Sequence, residues 1–140
     1  MNVHFSSQKT DWATPWELFR AWDISHGRFH LDVCATAENA KCSKFFSPKE
    51  DGLNQPWEGI CWMNPPYGRA IGQWIGKAAS EARTARVLRV VCLIPARTDT
   101  AWWHDLVIPY GKVHFLRGRI RFEDAKHPAP FPSAIVVFEK

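Results

Sequence analysis

The chain has no apolar run approaching the ~18 residues a membrane-spanning helix needs, and no signal peptide opens it. A cytosolic protein with no membrane partner is therefore expected. The cysteines Cys34, Cys42, Cys61 and Cys92 include no Cys-x-x-Cys pair. That spacing argues against a zinc site, and a disulfide framework does not suit a reducing compartment, so free thiols and no metal are expected. Internal repeats, low-complexity tracts and linkers are absent as well. In 140 residues this leaves one domain, 1–140, with no separate module for recognising a target.

What is present can build a core: 46% of residues are hydrophobic, and the eight tryptophans are many for this length. Most of them are expected inside, with some free to form a binding wall. The net charge of +4 suits a phosphate backbone, and equally suits an ordinary solvated surface.

Hydrophobic periodicity outlines the elements. Trp16, Phe19 and Trp22 share one face of a helix over 15–23 that starts just after Thr14, with Pro15 tolerated in its first turn. Residues 29–34 read as a strand. Residues 36–57 read as loop, with at most a short strand near Phe45-Phe46. Strands follow at 60–63, 87–94, 112–116 and 134–138, and helices at 71–82 and 101–107. Strands alternating with helices predict an open α/β sheet with crossover connections, and the last strand can pair antiparallel with 113–116.

The most informative motif is Asn64-Pro65-Pro66-Tyr67, which ends the apolar run Ile60-Cys61-Trp62-Met63. An exocyclic amino nitrogen is a poor nucleophile because its lone pair is delocalised into the ring. The Asn64 side-chain oxygen and the Pro65 carbonyl can hold its two N–H bonds, favouring a more tetrahedral nitrogen and stabilising developing charge. Pro65 and Pro66 stiffen the turn. Tyr67 offers a flat face for a flipped-out base. A rigid turn closing a buried strand is the plain alternative.

The other strand ends belong beside it. Cys34-Ala35, Asn64-Pro65 and Pro95-Ala96-Arg97 all follow strands, and ligands in open α/β sheets sit beyond such ends.

The series Asp11-Trp12-Ala13-Thr14-Pro15, Leu31-Asp32-Val33-Cys34-Ala35-Thr36, Asn39-Ala40-Lys41-Cys42, Asp51-Gly52-Leu53 and Trp62 to Arg69 resembles the phage-type DNA N6-adenine methyltransferases. So do Ile94-Pro95-Ala96-Arg97, Arg117 to Phe122 and Ala129 to Ala134. The resemblance runs from about residue 10 to the C-terminus. It implies a compact Rossmann-like α/β fold, S-adenosyl-L-methionine as cofactor, double-stranded DNA with a flipped-out adenine as partner, and a phage or prophage origin. Asn64, Pro65, Pro66 and Tyr67 would be the catalytic residues.

The resemblance also implies a cofactor site of Thr14, Pro15, Asp32, Cys34, Ala35 and Asp51. The turn after the first strand, Asp32 to Ala37, carries no glycine, unlike the Gly-rich turn of related methyltransferases. Asp32 is a candidate for the cofactor's amino group or a plain turn cap, and Asp51 for its adenine or a plain turn residue. Glu38 is a weaker candidate for the ribose. Arg69, Arg97 and the alternation Arg117, Arg119, Arg121 are candidates for DNA, the last three expected on one strand face. Sequence preference would come from loops 36–57 and 117–133 or from a second subunit of a homodimer. The same chemistry on RNA, protein glutamine or cytosine N4 stays open at this point, as does a non-catalytic DNA-binding relative.

Overall fold

Among the described residues, Trp16–Ser25 forms the first helix, α1. The computed structural model describes residues 11–140. Pro15 stands at the N-cap in extended conformation, and Glu17 in the first turn faces the positive end of the helix dipole. Gly27 and Arg28, both at positive φ, turn the chain out of the helix. Phe19 is buried as expected, against Phe29 and Trp62. Trp16 is not: it is 38% exposed, and the Lys41 ammonium lies over its ring at 4.4 Å.

The strands are β1 (Leu31–Asp32), β2 (Gly59–Met63), β3 (Val87–Pro95), β4 (Gly111–Phe115) and β5 (Ser133–Glu139). Among the described residues they form one sheet in the order β1-β2-β3-β5-β4. β1, β2 and β3 are parallel; β5 runs antiparallel to both β3 and β4. The parallel run with a C-terminal antiparallel hairpin is the predicted α/β arrangement. Residues 90–94 of β3 are all buried, so this central strand reads as a continuous apolar run rather than an alternation.

β1 is shorter than the expected 29–34. Its ladder to β2 continues only as single bonds from His30 N to the Ile60 carbonyl and from Val33 N to the Trp62 carbonyl. Beyond Asp32 the chain bends because that side chain accepts from the Cys34 and Lys41 amides. On the outer side of β1, Phe45 bridges Asp32 in parallel, the short strand expected near Phe45-Phe46.

Ile71–Glu81 forms α2, which buries Ile71, Trp74, Ile75, Ala78 and Ala79 on the expected stripe. The segment after residue 100 is α3, a π-helical stretch Trp103–Val107 running into Ile108–Tyr110. Pro109 explains the widening, since its ring excludes the carbonyl four residues back and it donates no N–H there. Close approach requires glycine at position 52, where a Cβ would stand 2.2 Å from the Val33 carbonyl oxygen. The turn 51–54 is thereby pressed onto the exit of β1.

Candidate active site

A cavity of about 360 Å³ opens beyond the carboxyl ends of β1 and β2. Asp32, Cys34, Ala35 and Thr36 line it from β1, Asn64, Pro65 and Pro66 from β2, and Trp12 to Thr14 from the segment entering α1. The loop after β1 adds Lys41, Phe46, Ser47, Pro48 and Asp51.

Asn64 is the pivot. Its Nδ2 donates to the Trp12 carbonyl oxygen and, at 2.9 Å, to Thr14 Oγ1. A carbonyl oxygen can only accept, so the nitrogen must face Trp12, which assigns the amide's orientation. Both amide protons are committed. Oδ1 is buried with no partner. Buried acceptors are nearly always satisfied, so an orphan on a residue of the cavity lining marks a place for a donor.

Asp32 is 3% exposed. Burial raises its pKa from 3.8 to about 6, against the lowering effect of the Lys41 and Cys34 amides and the Lys41 charge. Cys34 is pushed up to about 12, first by burial and then by Asp32, Asp11 and Asp51, so its thiol stays neutral. Asp51, at φ +59°, caps the turn 52–54: it accepts from Leu53 N at 3.2 Å and from Asn54 Nδ2. It therefore both holds its own turn and lines the cavity. Pro15 shapes the helix entry and lies outside the lining, and Glu38 is exposed away from it.

The match of residues 3–136 to the family model of DNA N-6-adenine-methyltransferase (Dam) decides the relationship. The chain belongs to that family. It is 34% identical over 120 residues to the DNA N-6-adenine-methyltransferase of Haemophilus phage HP1, covering 83% of this chain and 68% of the relative. The protein of the same description from Escherichia phage T1 is 32% identical over 96 residues, covering 67% of this chain and 39% of that longer protein. Among solved structures, a human methyltransferase 10 domain-containing protein aligns with 98% of this chain and 78% of its own at 10% identity, with a TM-score of 0.46.

Within this family member two expectations need correcting. Tyr67 is not an open stacking face. It is 2% exposed, its hydroxyl donates to the Leu93 carbonyl at 2.9 Å, and its ring meets Phe131 edge-on at 5.7 Å. Phe122 and Trp12 complete that aromatic cluster. Because Tyr67 and the 117–131 loop fill the space over the end of β3, Pro95-Ala96-Arg97 does not reach the cavity; Ala96 N instead donates to the Pro132 carbonyl.

The second correction concerns Arg117, Arg119 and Arg121. They lie after β4 in a loop, not on a strand face. Gly118, at φ +76°, breaks the extension that the alternation implied. Arg121 Nε donates to the Ala125 carbonyl at 3.1 Å and Arg119 Nη1 to that of Ala129 at 3.4 Å, so both guanidinium groups also brace the loop. All three, with Arg69 and Arg97, are exposed.

Sequence reasoning missed Lys41 and Glu123. The Lys41 ammonium, buried beside the cavity, pairs with Glu123 at 2.9 Å, while Glu123 N donates to the Ala13 carbonyl. The loop carrying Phe122 and Phe131 is thus tied to the cavity rim. A pairing across 82 residues leaves no local signal.

Proposed function

We propose that this chain transfers a methyl group from S-adenosyl-L-methionine to the N6 amino group of an adenine flipped out of double-stranded DNA. The observation that carries the reading is the unpartnered Oδ1 of Asn64, a residue of the cavity lining. Family membership favours adenine over cytosine or protein glutamine as the acceptor.

The cavity residues fit the cofactor. Its volume of about 360 Å³ lies in the ~300–1,000 Å³ range of small-molecule sites. Asp11, Asp32 and Asp51 line it, while the one lysine among its lining residues, Lys41, is paired with Glu123. Such a lining favours a ligand with a cationic end. In this reading Asp32 holds the amino group of the methionine part, Asp51 takes the adenine amine, and Ala35 allows close approach. Thr14 and Cys34 close the wall. When bound, the cofactor supplies an electrophilic methyl group.

The remaining work falls to the chain. Asn64 Oδ1 accepts one N–H of the adenine amine and the Pro65 carbonyl the other. The nitrogen lone pair is thereby freed from the ring and aimed, and charge building on the amine is stabilised by dipoles already in place. No side chain has to remove a proton beforehand, because the amine becomes acidic only after methyl transfer. Tyr67, anchored through Leu93, holds the Pro65-Pro66 turn from behind. The exposed Arg69, Arg97, Arg117, Arg119 and Arg121 supply the phosphate contacts.

Asn64→Ala tests the reading. Turnover should fall by about 100-fold or more, the usual cost of losing one transition-state hydrogen bond of this type. Cofactor affinity by calorimetry should stay within about threefold. Near-normal turnover in that variant would remove the proposed mechanism.

A further inference from the structure

The amide of Asn64 is held from behind by two acceptors that come from the segment leading into α1, not from its own turn. We propose that Thr14 is a positioning residue for methyl transfer. With the Trp12 carbonyl it locks the Asn64 amide so that Oδ1 faces the substrate amine, and the carbonyl selects asparagine rather than aspartate at position 64. This rests on the function proposed above and goes beyond the cofactor role that the family resemblance assigns to Thr14.

Three observations carry it. Each acceptor takes an Nδ2 proton, Thr14 Oγ1 at 2.9 Å and the Trp12 carbonyl beside it. Rotating the amide by half a turn would set Oδ1 against the acceptor-only Trp12 carbonyl, replacing a hydrogen bond with a repulsive contact. Oδ1 is left buried and unpartnered.

The acceptors are themselves fixed. Thr14 is 3% exposed. The Trp12 ring packs against Phe122 at 5.3 Å and Phe131 at 5.1 Å, and the Ala13 carbonyl between them takes the Glu123 amide. A carboxylate at position 64 has no proton for the Trp12 carbonyl and would be repelled by it. A neutral carboxylic acid would donate there and still present its second oxygen. The choice of asparagine is therefore written in a backbone carbonyl some fifty residues earlier in the chain.

The test uses the full chain with DNA and labelled cofactor, and side-chain amide NMR without either. Thr14→Val keeps the branched shape and removes the acceptor, so kcat should fall about tenfold, the equivalent of one ordinary hydrogen bond. KM for DNA and Kd for the cofactor should move by about twofold or less. Thr14→Ser, which keeps the hydroxyl, should restore kcat to within about threefold of the unmodified chain.

In the unmodified protein both Asn64 amide protons should exchange slowly, and one should become fast in Thr14→Val. Residual activity of Asn64→Asp should rise as pH falls, as the neutral acid forms. Fast exchange of both protons in the unmodified protein would overturn the proposal. So would a Thr14→Val variant whose kcat holds while its cofactor Kd weakens, which returns Thr14 to the cofactor. The exchange readout needs no catalysis, so a chain that methylates nothing would sink the proposed function and leave the amide lock to be judged separately.

Discussion

Asp32 carries an energetic cost that the cofactor would relieve. Between its ordinary 3.8 and its folded value of about 6, the folded protein keeps a proton that the unfolded chain has released. Stability therefore falls as pH rises through that window, and the ionised carboxylate costs about 3 kcal/mol at neutral pH. A ligand ammonium placed against Asp32 requires the ionised form, so affinity has the opposite slope. Cofactor binding should be about tenfold weaker at pH 5 than at pH 7 and level above pH 7, by calorimetry. A flat affinity across that range would remove Asp32 from the cofactor site. At Tyr67 the hydroxyl and the ring make separable contributions. Tyr67→Phe loses the bond to the Leu93 carbonyl and should cost about 1 kcal/mol in urea unfolding with turnover nearly unchanged. Tyr67→Ala would empty a fully packed site and cost about 3–5 kcal/mol. If Tyr67→Phe instead abolishes methylation while the protein stays folded, the hydroxyl belongs to the chemistry.

At the scale of elements, what was legible in the sequence depended on how local the cause was. The stripe of α2 and the buried strands β3 and β5 follow from periodicity, because a packed face repeats along its own element. β1 was overestimated because its end is set by the Asp32 side chain bonding to an amide nine residues on. The arginine alternation had the period of a strand, yet a glycine at positive φ and the carbonyls of Ala125 and Ala129 make it a braced loop. That loop still presents its charges outward. If Arg119 neutralises a phosphate, Arg119→Gln should flatten the log–log salt dependence of duplex binding by ~0.9. Cofactor affinity should not change. An unaltered slope with relaxed sequence preference would make Arg119 a base reader, and no change in either would place the DNA contacts elsewhere.

Across the whole molecule, the strand-end rule pointed to the cavity at the exits of β1 and β2 but overextended it to β3. The reason lies in tertiary packing: Tyr67, Phe122 and Phe131 close the third exit, and no pattern in a single segment announces a cluster drawn from distant parts of the chain. The same holds for the hold on Asn64, whose partners Trp12 and Thr14 come from the segment leading into α1, some fifty residues earlier. No helix among the described residues is long and apolar enough to cross a membrane. Unmethylated duplex DNA should be incubated with the protein and S-adenosyl-L-methionine bearing a deuterated methyl group, then digested to nucleosides and weighed by mass spectrometry. Labelled N6-methyl-deoxyadenosine is the expected product, absent with Asn64→Ala. Label on cytosine, or none on DNA from a protein that demonstrably binds the cofactor, would contradict the proposed function.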